Sequence, residues 1–190
     1  MQIEDHKYIM FFYSIGVIIL IASFFLDHIL VDLMEKIHNP AFFYILEWTG
    51  YALIFAFVLL ILKSFFMWED KKRDWILPVW FTFIAALIIT IALKFIVARE
   101  RPEELAGIVL KYSFPSTIVA MCVSMATIID HLYPSFKWFW ILFAIVISLS
   151  RLYMQLSFVS DIIAGALIGF SLGLGMLYIK KKYNLFGASI

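Results

Sequence analysis

Long apolar runs separated by short polar segments make up most of the chain. Six such runs cover residues about 8–26, 42–66, 76–98, 114–132, 136–153 and 158–179. A helix of about 20 apolar residues crosses the roughly 30 Å hydrocarbon core of a bilayer. The pattern therefore predicts an all-α fold, a polytopic membrane bundle of six transmembrane helices. No linker divides it, so we expect a single integral membrane domain over residues 1–190.

Composition supports this interpretation and excludes several other classes. The chain is 64% hydrophobic with a mean hydropathy of +0.98, more apolar surface than a soluble domain of this length can bury. The net charge of +1 gives no reason to expect a nucleic-acid partner. The single cysteine, Cys122, cannot form an intrachain disulfide. The first run is long and lacks a small-residue cleavage site, so we interpret it as a span and not as a signal peptide.

Basic residues near the ends of the runs predict the orientation in a cell membrane. Three occupy positions 71–73 in the second connection, and three more occupy positions 180–182 after the last run. Because short cytoplasmic segments are enriched in lysine and arginine, we expect both termini to be cytoplasmic. The third connection then faces outward, although it carries Arg99 and Arg101, with Lys94 just before it. Either these cations bind a ligand, or they are solvated among lipid headgroups.

Residues from three separate segments are expected to meet on the outer face as a phosphate site. Lys94 contributes an ammonium group, and Arg101 and Arg151 contribute planar guanidinium groups that match phosphate oxygens. Ser116 and Thr117 follow a proline at the start of the fourth helix, where backbone N–H groups and the helix dipole favour an anion. We predict these five residues as the phosphate-binding set.

Asp161 follows in the third segment and has two interpretations. It is a carboxylate partner for the clustered cations, or it caps the sixth helix together with Ser160. Ser157 lies four positions earlier, about one helical turn away if the segment is helical. Ser157 and Asp161 are therefore weak candidates for catalysis, because a serine needs a base or a metal to become a nucleophile.

The three segments resemble the motifs of the type 2 phosphatidic acid phosphatase superfamily, which includes lipid phosphatases and vanadium haloperoxidases. Residues 94–102 begin with lysine and end, after six residues, in Arg-Pro, like the first motif. Residues 115–116, Pro-Ser, resemble the start of the second motif, Pro-Ser-Gly-His. Residues 150–161 begin with Ser-Arg and end in aspartate, like the third. The resemblance implies a six-helix membrane bundle with its motifs on one face.

Both catalytic histidines of that family are replaced here. Ile118 stands at the position of the histidine that protonates the leaving group, and Ser157 at that of the nucleophilic histidine. In the family the aspartate corresponding to Asp161 orients the missing nucleophile. The resemblance therefore implies a degenerate member that is catalytically impaired. We expect it to bind a lipid phosphate or polyprenyl (di)phosphate among membrane lipids, on the non-cytoplasmic side.

Two alternatives remain open. One is an active lipid phosphatase that uses Ser157 with Asp161, or a histidine from the first outer connection, His28 or His38. The other is a structural or partner-binding membrane subunit. No cofactor is expected. A metal is not expected either. His28, Asp32 and Glu35 are spaced to share one face of a short helix, but nothing in the sequence supplies a fourth ligand.

Two further features of the spans predict contacts between helices. Glu47 lies inside the second run and either pairs with the basic cluster or sits at the membrane interface. Gly165, Gly169 and Gly173 recur every four residues in the sixth run. Such a stripe allows close helix packing within the chain or, as an alternative, a homodimer.

Overall fold

The computed structural model is helical throughout its described part. It describes residues 6–37, 39, 52–69, 72–102 and 111–183. Within these ranges there are six α-helices and no β-strand, which confirms the predicted all-α bundle. The helices are α1 (His6–Lys36), α2 (Ala52–Glu69), α3 (Ile76–Val97), α4 (Thr117–Leu132), α5 (Lys137–Tyr153) and α6 (Val159–Tyr183). Short 3-10 turns precede α3 and α5.

The outer surface of the bundle is suited to lipid. By length and composition, three segments can cross a membrane: Ile9–Lys36, Arg73–Val97 and Val159–Tyr183. Helices α4 and α5 are shorter but also apolar. Large apolar side chains point outward, for example Phe25 at 79% exposed and Ile96 at 76%. A water-soluble surface would not carry so many of them. The chain is a membrane protein.

Helix α4 forms the centre of the bundle, which explains why most of its side chains are buried. Met121, Met125 and Ile128 are at most 1% exposed, and they belong to the same core as Phe83 of α3 and Leu177 of α6. Apolar residues on nearly every side of α4 suit a helix that is surrounded by neighbours. The central position of α4 also fixes where its first residues, Ser116 and Thr117, lie relative to the other helices.

The predicted glycine stripe packs within the chain. A Cβ atom added at Gly165 would lie 2.5 Å from the carbonyl oxygen of Ser116, and one at Gly169 would lie 2.2 Å from that of Ala120. Only a residue without a side chain allows α4 and α6 to approach so closely. Because the stripe is covered by α4, it is not free to join two copies of the chain. A homodimer stays a prediction and requires another surface.

Helix α1 is longer than the apolar run that predicted it. The run ends near residue 26, but the helix continues to Lys36. Asp27 and His28, which we expected in an outer connection, are therefore helical. No proline or glycine interrupts the segment between them and Lys36, so nothing ends the helix there. His38 and Glu47 lie outside the described residues.

The two basic segments that predicted the orientation lie at the same end of the bundle. Lys180, near the end of α6, donates hydrogen bonds of 2.6 Å to the carboxylate and the carbonyl oxygen of Asp74. Asp74 belongs to the turn that follows the basic positions 71–73. The end of α3 and the start of α4, which carry the candidate site, lie at the opposite end of these helices.

Candidate phosphate-binding site

The three predicted cations lie together at one end of the bundle. Lys94 belongs to the last turn of α3, Arg101 follows that helix, and Arg151 belongs to the last turn of α5. The charge of Lys94 interacts with both arginines, and the arginines interact with each other. Lys94 is 3% exposed and Arg151 is 8% exposed. Burying like charges together is unfavourable unless an anion or carboxylates accompany them.

Backbone carbonyl groups hold two of these cations in place. The Lys94 ammonium donates to the carbonyl oxygens of Tyr112 and Ser113, at 3.1 and 2.7 Å. Arg101 donates to the carbonyl oxygen of Leu156, in the loop between α5 and α6. Burial lowers the pKa of the Arg101 guanidinium, while the nearby Asp161 carboxylate raises it. A carbonyl group has no net charge, so these hydrogen bonds do not by themselves neutralise the two cations.

The start of α4 adds hydrogen-bond donors to the site. Ser116 is the N-cap residue, and its backbone N–H donates to the carbonyl oxygen of Asp161 at 3.0 Å. Thr117 follows in the first turn, and its hydroxyl is buried without a hydrogen-bond partner in the described part of the chain. A buried polar group without a partner costs about 1–3 kcal/mol. An anion oxygen at the helix N-terminus would accept a hydrogen bond from this hydroxyl.

A buried ion cluster, consisting of Asp27, Arg99, Ser160 and Asp161, lies beside the cations. Arg99 donates to Asp27 at 2.8 Å and to Asp161 at 3.0 Å, and both carboxylates are 0% exposed. Asp27 also accepts a hydrogen bond of 3.0 Å from the backbone N–H of Ser160, and one from its hydroxyl. Asp161 accepts one from the backbone N–H of Phe158 at 2.8 Å. The cluster joins α1 to the loop after α3 and to the start of α6.

The buried ion cluster does not neutralise the site. Asp27 and Asp161 are the two carboxylates of the cluster, whereas the cations in and beside it are four: Arg99, Lys94, Arg101 and Arg151. Within this group of described side chains, the cations therefore outnumber the carboxylates. The unequal count favours an anion with several oxygens, because one guanidinium group binds two oxygens at once.

Ile118 and Ser157 stand at the two positions where the resemblance implies histidines. Ile118 cannot transfer a proton. Ser157 is 3% exposed, and within the described chain no hydrogen bond joins its hydroxyl to Asp161. One Asp161 oxygen accepts from Arg99 and the other from Phe158. Both carboxylate oxygens of Asp161 therefore have partners other than Ser157.

Of the outer histidines, His28 is the one whose position is described. Its exposed ring is centred 6.0 Å from the ring of Phe158, next to Ser157 in the chain. Within the described residues, no group of three histidine, cysteine or acidic side chains could hold a metal ion.

The roles of two residues at this end of the bundle, Arg99 and Asp27, were not predicted from the sequence. Arg99 was expected only as one charge of a basic loop, and Asp27 was expected in an outer connection. Asp27 could have been noticed, since an acidic residue at the end of an unbroken apolar helix usually faces protein or a water cavity.

The fold and the clustered cations define a class: a helical membrane protein with a cluster of cations at one end. Residues 75–185 match the family model of the PAP2 superfamily, and the chain belongs to that superfamily. This confirms the family predicted from the three motifs.

Two solved structures are similar in fold. One is the first transmembrane PAP2 type phosphatidylglycerolphosphate phosphatase from Bacillus subtilis, with 17% identity over 92% of this chain and 96% of that one, and a TM-score of 0.75. The other is Aquifex aeolicus LpxE, with 27% identity over 80% of this chain and 95% of that one, and a TM-score of 0.65. A comparison with curated protein sequences finds no match.

Proposed function

We propose that this protein binds the phosphate headgroup of a membrane lipid and is impaired as a phosphatase. The observation that carries the proposal is the convergence of Lys94, Arg101 and Arg151 at the end of the bundle where α4 begins. There the buried Thr117 hydroxyl has no hydrogen-bond partner among the described residues. These are the groups that hold a phosphate, while Ile118 and Ser157 occupy the positions of the acid and the nucleophile. A lipid-phosphate binding, presenting or translocating role follows.

The ligand is a lipid phosphate or a polyprenyl (di)phosphate. Such a molecule places a phosphate at the membrane boundary and its chain among the helices. The Bacillus subtilis protein that is similar in fold is a phosphatidylglycerolphosphate phosphatase, so its ligand also carries a phosphate on a lipid. The shared chemistry, a phosphate joined to a hydrocarbon chain, is what we assign to this chain.

The site faces the non-cytoplasmic side of a cell membrane that the chain crosses several times. The contact between Lys180 and Asp74 supports this orientation, because it places both basic segments at the end opposite the site. The positive-inside rule makes that basic end, and with it both termini, cytoplasmic.

The loss of both histidines accounts for the proposed impairment. A general acid contributes about 10²–10⁴-fold to a rate. Removing a nucleophile that acts together with its partners costs about 10⁶-fold. Asp161 accepts hydrogen bonds from Arg99 and Phe158, so we do not expect it to activate Ser157 in place of the missing nucleophilic histidine.

Binding of phosphatidic acid to the purified protein in detergent, with orthovanadate as competitor, tests the proposal. We expect Arg101→Ala with Arg151→Ala to weaken binding at least tenfold, because a hydrogen bond to a charged group contributes about 1.5–3 kcal/mol. Lys111→Ala is the matched control, since Lys111 is an exposed cation of the same region, paired with Glu100. Wild-type affinity in the double arginine variant would show that the cations do not form the site.

A sharper variant is Thr117→Val, which removes only the unpartnered hydroxyl. No hydrogen bond within the described chain is lost, so the protein should be as stable as wild type or more so. Affinity for phosphatidic acid should nevertheless fall several-fold. An unchanged affinity in this folded variant would exclude the hydroxyl as a ligand of the phosphate.

Hydrolysis assays separate binding from catalysis. We expect no phosphate release from phosphatidic acid by the native protein, and measurable release by the variant Ile118→His with Ser157→His. Release by the native protein would instead favour an active lipid phosphatase. The position of His28 near Phe158 makes that histidine the first residue to test in such a case, with His28→Ala. Absence of any affinity for phosphate or vanadate would favour a structural subunit.

A further inference from the structure

A second group of cations lies at the end of the bundle opposite the candidate site. Lys63 of α2 and Lys72 of the connection to α3 both place their ammonium groups over the ring of Tyr133, at 3.5 and 3.9 Å from its centroid. Tyr133 directly follows α4. Three separate segments therefore bring two positive charges, which we call the lysine pair, to one aromatic ring.

Lys63 is the member of the pair that the orientation of the chain does not explain. It lies inside the second predicted span, six positions or about 9 Å before the end of α2. The positive-inside rule accounts for lysines in connections, whereas an ionisable side chain inside a span is costly and commonly belongs to a functional site. A lysine side chain at this depth extends toward the membrane boundary, where the phosphates of lipids lie.

Uncharged groups hold the cations next to Lys63 in the structure. Lys72 donates a hydrogen bond of 2.6 Å to the carbonyl oxygen of Leu132, in the last turn of α4. The Arg73 guanidinium packs on the ring of Trp68 at 3.9 Å. In the part of the chain that the structure describes, neither Lys72 nor Arg73 contacts a carboxylate. Rings and carbonyl groups orient a cation without cancelling its charge, so both cations can still bind an anion.

Exposed aromatic side chains indicate that this end of the bundle lies at a membrane boundary. Trp68 is 54% exposed, and Tyr178 and Tyr183 of α6 are 49% and 61% exposed. The Lys182 ammonium lies over both of these tyrosine rings. Tryptophan and tyrosine are enriched at membrane–water interfaces, with their rings at the level of the headgroups. The lysine pair is therefore at the depth of phospholipid phosphates.

We propose that Lys63 and Lys72, with Arg73 beside them, bind the phosphate of an anionic phospholipid in the leaflet at this end of the bundle. Because both ammonium groups approach one ring, a single phosphate can accept from each at about 2.8 Å. An anion that contacts both also lowers the repulsion between the two like charges. A free phosphate shares this chemistry, but the position of Lys63 inside a span favours a ligand that enters from the bilayer. The proposal concerns a second ligand and does not depend on the proposed function.

Native mass spectrometry of the full-length protein tests the proposal. The probe is phosphatidylglycerol, whose headgroup has a net negative charge, and the control lipid is phosphatidylcholine, whose headgroup has none. Orthovanadate competes for the candidate site, and the measurement is repeated in Arg101→Ala with Arg151→Ala. We expect one phosphatidylglycerol to bind at least about tenfold more tightly than phosphatidylcholine in both proteins, because two lysines near an anionic lipid contribute about fivefold each.

Charge variants locate the binding. Lys63→Met with Lys72→Met should weaken phosphatidylglycerol binding at least about tenfold, whereas Lys63→Arg with Lys72→Arg keeps both charges and should retain it. The matched control is Lys181→Met with Lys182→Met, which removes two exposed cations from the same end of the bundle and should bind nearly as wild type.

Photo-labelling of the native protein gives a readout that needs no variant to fold. Phosphatidylglycerol with a diazirine on its headgroup is added to the protein in lipid nanodiscs, and the labelled peptides are mapped. We expect labels in the peptides that contain Lys63, Lys72 or Tyr133. Labels confined to other segments overturn the proposal.

Each remaining failure has its own meaning. Equal affinity for the two lipids, or wild-type affinity in Lys63→Met with Lys72→Met, overturns the proposal. An equal loss in Lys181→Met with Lys182→Met also overturns it, because the charge would then act as a diffuse surface. Displacement of the lipid by glycerol 3-phosphate at the same concentration would mean that a free phosphate is the ligand. Loss of phosphatidylglycerol binding only in the double arginine variant would place the lipid at the candidate site, which overturns this proposal and supports the proposed function.

Discussion

Arg99 holds two fully buried carboxylates, and its removal is the most informative perturbation of the bundle. The change Arg99→Met keeps an unbranched side chain but leaves Asp27 and Asp161 without their shared cation. Breaking a buried ion pair by removing one partner costs about 3–5 kcal/mol. We expect Arg99→Met to lower the free energy of unfolding by this amount, because both carboxylates are 0% exposed.

The matching change on the other side is Asp27→Asn. It keeps an acceptor for the backbone N–H of Ser160 and leaves Arg99 paired with Asp161. It replaces the oxygen that accepts from Arg99 and from the Ser160 hydroxyl, so it removes two contacts of a charged group. Each contributes about 1.5–3 kcal/mol. The double variant, Arg99→Met with Asp27→Asn, leaves only the Asp161 carboxylate without Arg99, because an asparagine at position 27 carries no charge. Its cost should therefore be lower than the sum of the single costs, by a coupling energy of about 0.5–3 kcal/mol.

Unfolding in mixed micelles with increasing SDS, followed by the fluorescence of the six tryptophans, measures these differences. Lys111→Met is the control, since the Lys111–Glu100 pair is more than half exposed on both sides. Exposed pairs contribute about 0–1 kcal/mol. If Arg99→Met destabilises the protein no more than this control, or if the double variant is strictly additive, the buried ion cluster does not stabilise the bundle as argued.

Two further predictions concern helix packing and pH. Gly169→Ala should lower the free energy of unfolding in SDS by about 1–3 kcal/mol, because the new Cβ would lie 2.2 Å from the Ala120 carbonyl oxygen. The control is Gly175→Ala, whose new Cβ meets nothing within 4 Å, so this change should be neutral or slightly stabilising. The hydrogen bond and charge of Lys111 lower the pKa of Glu100, so this ion pair should persist at neutral pH and be lost as the pH falls through that lowered pKa. In an NMR titration, the Glu100 pKa should return to its ordinary range in the variant Lys111→Met.

The sequence predicted the six-helix bundle and the grouping of cations because both depend on local signals. Apolar runs of membrane length predict helices directly. The spacing of Lys94 and Arg101, together with Ser150-Arg151, indicated the phosphate site once a topology placed their segments on one side. The structure brings Lys94, Arg101 and Arg151 within reach of each other, and their role in phosphate binding stays a prediction.

The partners of the acidic residues could not be predicted, because they depend on packing between distant segments. Asp161 was considered as a cation partner or a helix cap, and it pairs with Arg99 while accepting a hydrogen bond from Phe158. Asp27 was assigned to a connection because the apolar run ends just before it. Hydropathy marks where a run ends, whereas the helix ends only where its backbone is interrupted.

The bond between Ser160 and Asp27 spans 133 positions of the chain, and this separation has a consequence for biogenesis. When α1 enters the bilayer, its aspartate has neither Arg99 nor the start of α6 beside it. A charged side chain at the centre of a membrane helix disfavours insertion by about 2.5–3.5 kcal/mol on translocon scales, and less toward the helix end. A nascent protein interrupted before Arg99 therefore exposes an uncompensated carboxylate in its earliest span, a mark by which membrane quality control can distinguish unfinished molecules from complete ones.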